Sequence, residues 1–448
     1  MKKLYYLAGL MVAATACTTA PKTTVSIHME GERVNEIPIT LNTKDSIYSV
    51  SLDSTNSATL QLATNLQADY ATLQLGRMHL PLYIEPGKNF DIDINTKGRK
   101  ITPIFKGEGA ATNSYLNGDI AKDNTPALEL DEKAFIEALA NKEAQLVGNL
   151  EKENFDAAFV KIEKKKIHYS LYSYISTYVA YHPYYGKQPD YKPSDELYNT
   201  LKSSVSEEPE LIHIQEYKSA VIGYIEVMSR RSKASNSLEL LKNQLDIIQN
   251  DFKAPEIADF TVDYFVKAYV GRNGIDKLSE FSTIYDNKVT DPKKKADFKA
   301  LCEKWAKVAK GQPSIDFKYL DINGKEVSLK DLSGKYVYID CWATWCGPCR
   351  GELPHLQKLE HQYKNKNIHF VSISCDQNKA DWEKMVKEEK LGGIQLHNGG
   401  DRAFMDFYMI KGIPRFILLD REGKIIQANA TRPSNPETAK TFDALEGI

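Results

Sequence analysis

The chain has 448 residues, a length that predicts about three domains at roughly 150 residues per domain. Its 58 Lys and Arg residues nearly balance its 60 Asp and Glu residues, and the net charge of -2 argues against a nucleic-acid-binding surface. Hydrophobic residues at 42% and charged residues at 26% exclude a disordered or collagen-like chain, and six Cys are too few for a disulfide scaffold.

Residues 1–17 have the order of an export signal. A basic start at Lys2 and Lys3 is followed by a mostly apolar run that is too short to span a bilayer. The small residues before Cys17 resemble a bacterial lipobox, which implies that Cys17 becomes the lipid-carrying first residue of the mature protein. An ordinary secretory signal cleaved nearby is the alternative. On either interpretation we expect an exported protein, and on the first one a protein anchored to a membrane by lipid.

Residues 18–110 predict a small antiparallel β domain. Short segments such as 48–52 and 89–94 alternate apolar and polar side chains, which is typical of half-buried strands. Pro86 and Gly87 predict a turn between the last two strands, because Pro fixes one backbone angle and Gly accepts a positive one.

Residues 111–311 predict a domain of amphipathic helices. Apolar residues recur three or four positions apart, as at Phe135, Leu139 and Leu146. Tyr residues are dense between Tyr169 and Tyr191, where they fit either the packing of a core or a surface that binds a peptide or a glycan.

Residues 312–448 predict an α/β domain, because strand-like and helical patterns alternate after the break at Gly311. The predicted elements are a hairpin around Asn323 and Gly324, a strand at 336–341, a helix after Cys349, a strand at 368–374, a helix near 380–390 and a strand at 416–419.

Cys346 and Cys349 form a Cys-x-x-Cys pair where the first of these strands gives way to a helix. A sulfur at the start of a helix faces unpaired N–H groups and the positive end of the helix dipole, and both favour the thiolate. Cys346 is therefore the predicted attacking thiol, and Cys349, one turn later, is the predicted resolving thiol. Pro348 suits the first helical turn, where its missing N–H costs nothing.

A zinc site is the alternative use of a Cys-x-x-Cys pair. His355 and His361 are six positions apart on one predicted helix and face different directions, and no second Cys pair has ligand spacing. We therefore expect no metal, and a dithiol–disulfide cycle needs no cofactor.

The segment Trp345-Cys346-Gly347-Pro348-Cys349 makes the last third of the chain similar to thioredoxin-fold domains of the TlpA-like type. Supporting matches are Asp340 to Ala343 before the pair, Pro354 in the helix and Gly412-Ile413-Pro414 before a late strand. More faintly, the first two regions resemble those that precede thioredoxin domains in Bacteroidetes lipoproteins. The resemblance implies a periplasm-facing thiol-disulfide oxidoreductase of the cell envelope.

The resemblance also implies roles for three further residues. Pro414 matches a proline with a cis peptide bond beside the Cys pair, where the adjacent backbone receives the substrate chain. Asp340 and Glu352 match two acids that can carry the proton of Cys349, and their joint presence leaves the proton carrier open. Glu352 is also explained as a first-turn acid that suits the helix dipole.

The predicted activity is the reduction of disulfides in protein substrates, with a membrane dithiol as electron donor. Of the remaining thiols, Cys302 fits helix packing, whereas Cys341 and Cys375 fit either buried free thiols or a second redox pair. The competing hypothesis is a peptide- or glycan-binding envelope lipoprotein in which the thioredoxin-like domain is secondary.

Overall fold

The computed structural model describes residues 22–31, 37–44, 46–63, 67–96, 102–118 and 127–448. Cys17 and the export signal lie outside the described residues. The chain divides into two compact units, residues 1–228 and 229–448. This division falls inside the predicted helical region, so the domain limits proposed from the sequence remain a prediction.

The β part of the first unit contains two four-stranded sheets in the described residues, with the orders β4-β1-β7-β8 and β3-β2-β5-β6. Their strands are β1 (Thr24–Glu30), β2 (Ile39–Asn42), β3 (Ile47–Val50), β4 (Ser57–Gln61), β5 (Asp69–Leu75), β6 (Met78–Ile84), β7 (Phe90–Asn95) and β8 (Pro103–Gly107).

Residue alternation explains these strands, since Phe90, Ile92 and Ile94 of β7 are buried in the core while Asp91 and Asp93 face outwards. The β domain is confirmed with two differences.

One difference from the prediction is that β1 and β7 pair in parallel, whereas the other described pairs of these sheets are antiparallel. The other concerns the turn at Pro86 and Gly87, which joins β6 to β7 and is followed by β8. It therefore connects two sheets and does not join the last two strands. Local alternation identifies the buried face of a strand and leaves its partner undefined.

Helices complete the first unit: α1 (Ala110–Asn117), α2 (Glu132–Leu150), α3 (Ala157–Tyr172), α4 (Tyr174–Tyr185), α5 (Asp195–Ser204) and α6 (Gln215–Arg230), the last of which crosses the division between the units. Asn113 of α1 accepts a hydrogen bond from the Tyr83 amide at 2.8 Å and returns one to its carbonyl at 3.1 Å. The Tyr residues between Tyr169 and Tyr191 differ in their exposure: Tyr169 and Tyr178 are buried in the core, whereas Tyr184 is 78% exposed.

The second unit contains a helical segment followed by an α/β domain. Its helices are α7 (Ser237–Asp251), α8 (Pro255–Asn273), α9 (Ser282–Lys288), α10 (Pro292–Ala306), α11 (Gly347–Gln362), α12 (Lys379–Glu388), α13 (Ala403–Phe407) and α14 (Pro436–Asp443). Its strands are β9 (Lys318–Asp321), β10 (Glu326–Ser328), β11 (Tyr336–Trp342), β12 (Ile368–Ser374), β13 (Ile394–His397), β14 (Arg415–Leu419) and β15 (Ile425–Ala430).

These strands form one seven-stranded sheet in the order β10-β9-β13-β12-β11-β14-β15. The central strand β11 is parallel to β12 and antiparallel to β14. All seven residues of β11 are buried, as expected for a strand covered on both faces. The predicted hairpin, central strands, active-site helix and α12 are confirmed. The structure also contains β13, β15, α13 and α14, which the sequence patterns do not predict.

The helical segment of the second unit is joined to the α/β domain through the edge strand β15. The Gly311 amide donates to the carbonyl of Ile425 at 2.7 Å, and the Ile425 amide donates to the carbonyl of Gln312 at 2.8 Å. Further along β15, the Asn429 side chain donates to the carbonyl of Arg272 at the end of α8.

In the described ranges, no helix is both long and apolar enough to span a bilayer.

Candidate active site

The Cys pair lies where β11 ends and α11 begins. Cys346 is the N-cap residue of α11, and its sulfur accepts a hydrogen bond from the Cys349 amide at 3.2 Å. Pro348 occupies the first turn, as predicted. The sulfur of Cys346 therefore faces the amide groups and the positive dipole end that stabilise a thiolate.

Cys346 and Cys349 form a disulfide with 5.2 Å between their Cα atoms. Both residues are buried, in a cluster that also contains Trp342, Ala343 and Trp382. Their neighbour Trp345 is 71% exposed. The pair therefore sits in apolar surroundings next to a large exposed aromatic side chain.

Pro414 lies beside this disulfide, as the resemblance implies. The Ile413–Pro414 peptide bond is cis, and the carbonyl oxygen of Ile413 lies 3.7 Å from the Cys346 sulfur. In the described part of the chain, the Ile413 amide makes no backbone hydrogen bond. The residue whose carbonyl oxygen borders the predicted attacking atom thus has an amide without a backbone partner among the described residues.

Asp340 lies in the middle of β11 and is 3% exposed. Its Oδ1 atom is buried without a hydrogen-bond partner among the described residues. Burial raises the pKa of this carboxyl well above its usual value, and the charges of Glu352 and Glu360 on α11 add to the shift. Asp340 is therefore held in surroundings that favour its protonated form.

Glu352, in contrast, has hydrogen-bond partners although it is 8% exposed. Its carboxylate accepts from the amide and the hydroxyl of Ser434, both at 2.9 Å, and Arg432 lies 3.9 Å away. Glu352 thereby fastens the loop after β15 to α11. The two acids between which the sequence leaves the proton carrier open thus have different environments.

Glu360 is a third acid on the same helix, and it is not among the residues predicted from the sequence. Burial raises its pKa to about 7. It acts on Asp340 through its charge. Its position eight residues after Glu352 on one helix was the available signal, because positions i and i+8 both fall within the broad core-facing stripe of an amphipathic helix.

Asp376 is a second residue that the sequence analysis does not predict, although it holds the segment that leads to Cys346. Its carboxylate accepts hydrogen bonds from the Thr344 amide at 3.0 and 3.1 Å, the Thr344 hydroxyl at 2.7 Å and the Ser374 hydroxyl at 2.7 Å. The available signal was an acid just after the buried strand β12, since ligand-facing residues of α/β sheets collect at the carboxyl ends of strands.

The other cysteines of the described chain, Cys302, Cys341 and Cys375, are free thiols. Cys375 packs against the cluster around the active pair, and burial raises its pKa and that of Cys341. Among the described residues, no three His, Cys, Asp or Glu side chains converge as metal ligands.

The fold and the site together define a thioredoxin-fold protein with a dithiol–disulfide centre. The Redoxin family matches residues 308–445. The chain is 30% identical over 131 residues to the thiol-disulfide oxidoreductase ResA of Bacillus cereus, covering 29% of this chain and 75% of that protein. Through its C-terminal domain, the chain belongs to the TlpA-like thiol-disulfide oxidoreductases.

Solved structures from Bacteroides vulgatus are also similar. The solution structure of one thiol-disulfide oxidoreductase has 68% sequence identity to this chain and a TM-score of 0.28, and the match covers 30% of this chain and 88% of that one. The thioredoxin domain of another thiol-disulfide oxidoreductase is 33% identical, with a TM-score of 0.28 and coverage of 30% and 96%. The protein is an oxidoreductase, and its family implies substrates that contain disulfides.

Proposed function

We propose that the protein is a membrane-tethered reductase of protein disulfides in the cell envelope. The observation that carries this proposal is the position of the Cys346 sulfur, which caps α11 and lies 3.7 Å from the Ile413 carbonyl. Such a sulfur is activated by the helix start and borders backbone that can pair with a substrate chain.

In the first step the Cys346 thiolate attacks one sulfur of the substrate disulfide. A mixed disulfide forms between Cys346 and the substrate, and the other substrate sulfur leaves as a thiolate. Cys349 then loses its proton and attacks the Cys346 sulfur. The second substrate sulfur leaves, the Cys346–Cys349 disulfide closes, and two electrons have passed to the substrate.

Asp340, in its ionised form, takes the proton of Cys349 in the second step. A carboxylate with a raised pKa is a stronger base and is better matched to a thiol than an ordinary one. Glu352 has the smaller role, because its oxygens are engaged with Ser434. Pro414 and the Ile413 amide, which has no backbone partner among the described residues, receive the substrate backbone and so place its disulfide against Cys346.

A dithiol donor in the membrane returns the protein to its reduced form. It reduces the Cys346–Cys349 disulfide and becomes a disulfide itself, so the electrons balance. The similarity of the Gly-Pro pair between the cysteines to reducing thioredoxins supports this direction. The lipobox-like residues before Cys17 support the location, because a lipid on Cys17 would keep the domain near a membrane donor and facing the periplasm.

Trapping in cells tests the chemistry. The variant Cys349→Ser lacks the resolving thiol, so its mixed disulfides with substrates should persist and appear as higher bands on non-reducing gels. The matched control is Cys346→Ser/Cys349→Ser, in which those bands should vanish. A folded and exported Cys349→Ser protein without adducts would instead favour the binding lipoprotein.

The direction of electron transfer and the lipid anchor on Cys17 need separate measurements. A reduction potential well below that of the compartment supports a reductase, and one well above it would make the protein an oxidant or isomerase. Mass spectrometry of the mature N-terminus should find acylated Cys17. An unmodified N-terminus would contradict the lipid anchor and leave the redox chemistry unaffected.

A further inference from the structure

A groove beside Ile413 extends beyond the thioredoxin fold within the second unit. It encloses about 980 Å³. Residues 411–416 line one side, residues 429–432 line another, and the ends of α8 and α10 close it. Helical residues outside the redox domain therefore contribute to a cavity at the redox site.

The lining of this groove is strongly cationic. It contains Arg272 of α8, Lys304 of α10, and Lys411, Arg415 and Arg432 of the α/β domain, and it contains no Asp or Glu. Arg432 lies near Glu352, whereas Arg272, Lys304 and Lys411 make no ion pair with any carboxylate in the described part of the chain. Such a concentration of uncompensated positive charge attracts a negatively charged occupant.

The helical wall of the groove is held in position by the contacts of β15. The Asn429 side chain donates to the Arg272 carbonyl, and the Gly311 amide donates to the Ile425 carbonyl at 2.7 Å. Trp305, which is 3% exposed, packs against Gly274 at the end of α8. The two helix ends that carry Arg272 and Lys304 are thereby fixed relative to the sheet.

One end of the groove lies next to the reacting sulfur. Ile413 lines the groove, and its carbonyl oxygen lies 3.7 Å from the Cys346 sulfur. The groove continues from there past residues 429–432 to the helices. A chain whose disulfide lies at Cys346 can therefore extend its neighbouring residues along the cations.

We propose that this groove selects disulfides carried in acidic polypeptide segments, with Arg272 and Lys304 as specificity-determining residues. The proposal rests on the proposed reductase function and names its substrate class. A polypeptide is favoured over a small anionic disulfide because the cations are spread along three walls and the Ile413 amide lacks a backbone partner among the described residues. The electron transfer is the two-step exchange given above.

The test measures rates of disulfide reduction by the full-length reduced protein. The probes are two disulfide-linked peptides that differ only in flanking Glu or Lys residues, oxidised glutathione, and the uncharged 2-hydroxyethyl disulfide. We expect the Glu peptide to react about tenfold faster than the Lys peptide at low salt, and the preference to shrink at high salt.

A variant that reverses the charges of Arg272 and Lys304 tests the contribution of the helical wall. Arg272→Glu/Lys304→Glu should slow the Glu peptide about tenfold and leave 2-hydroxyethyl disulfide unchanged. The matched control is Lys277→Glu/Lys299→Glu, which makes the same charge change on the same helical segment outside the groove. If the first variant fails to fold, Arg272→Gln/Lys304→Gln should give an intermediate loss.

Three outcomes would overturn the inference. Equal wild-type rates for the Glu and Lys peptides would remove charge selection, and equal losses in the variant and its control would remove the groove. Glutathione reacting faster than the Glu peptide would make the occupant a small anion. In this experiment the proposed function itself fails if wild type reduces none of the four probes, so the two failures are distinguishable.

Discussion

Asp376 holds Thr344 through both of its carboxylate oxygens. The Thr344 amide lies 3.1 and 3.0 Å from these oxygens, and its hydroxyl donates to one of them at 2.7 Å. Asp376 is 2% exposed and follows β12, whereas Thr344 follows β11. The carboxylate thus fixes the start of the segment that positions Cys346, without touching the sulfur.

Asp376→Asn should destabilise the protein by about 1–3 kcal/mol, because an amide group then faces a buried donor. It should also change the reactivity of Cys346, since the preceding segment loses its anchor. Urea unfolding and the rate of Cys346 alkylation against pH measure the two effects. The control is Asp381→Asn, an exposed carboxylate nearby that accepts from Asn378. A variant with wild-type stability and reactivity would contradict the positioning role.

Asp340→Asn should slow the resolution of the mixed disulfide by about 10- to 100-fold, because an amide cannot accept the proton of Cys349. Glu352→Gln should change this rate by less than about threefold, since the Gln side chain can still bond with Ser434. Single-turnover decay of a preformed mixed disulfide measures both across pH. The rate in Asp340→Asn should also lose its dependence on the ionisation of Asp340. Equal slowing by the two variants would assign the proton to both acids.

Glu360→Gln should alter how stability depends on pH. The pKa of Glu360 is raised from 4.5 to about 7, so the folded state binds its proton more tightly than the unfolded state. Its stabilising effect is complete below about pH 4.5 and is lost as the pH rises through about 7. We therefore expect the free energy of unfolding of the variant to rise by about 1–2 kcal/mol relative to that of wild type as the pH increases from 4 to 8, after allowance for the partial exposure of Glu360.

Urea unfolding at the two pH values measures this gain. Asp340 also has a raised pKa, so the Glu360→Gln variant should keep part of the decline in stability with pH. Glu383→Gln, on the outer helix α12, is a suitable control. The prediction is wrong if wild type and Glu360→Gln lose stability in parallel over this range.

Trp345→Ala should leave stability within about 0.5 kcal/mol of wild type, because this side chain is 71% exposed. It should slow reduction of a protein disulfide about tenfold, since an exposed aromatic next to the attacking sulfur is suited to anchor a partner. Reduction of 2-hydroxyethyl disulfide provides the internal control and should not change. A parallel loss with both substrates would instead indicate a disturbed active-site loop.

Local signals account for what the sequence predicted in the redox domain. The strand pattern before Cys346 and the Cys-x-x-Cys spacing depend on neighbouring residues alone, and the structure has β11 and α11 there. β15 lacked such a signal, because Ile426, Gln427 and Ala428 are all partly buried without alternation and its pairing with β14 contains register shifts. Irregular edge strands carry little period-two signal.

Contacts between distant segments account for what the sequence left open. The parallel pairing of β1 with β7 joins residues far apart in the chain, and local alternation does not specify such a partner. The different environments of Asp340 and Glu352 depend on Ser434, which belongs to the loop after β15. The cationic groove likewise depends on α8 and α10 meeting the redox domain.

The pairing of Gly311 and Gln312 with Ile425 has a consequence for solubility. β15 is the outermost strand of its sheet, and exposed strand edges invite pairing between molecules. The linker at 311–314 occupies part of that edge, where the Ser314 amide also donates to the Gly423 carbonyl at 3.0 Å. A fragment that begins after this linker would keep Cys346 and Cys349 but expose the unpaired edge of β15. Aggregation of such a fragment would result from the missing linker and would say nothing about its redox chemistry.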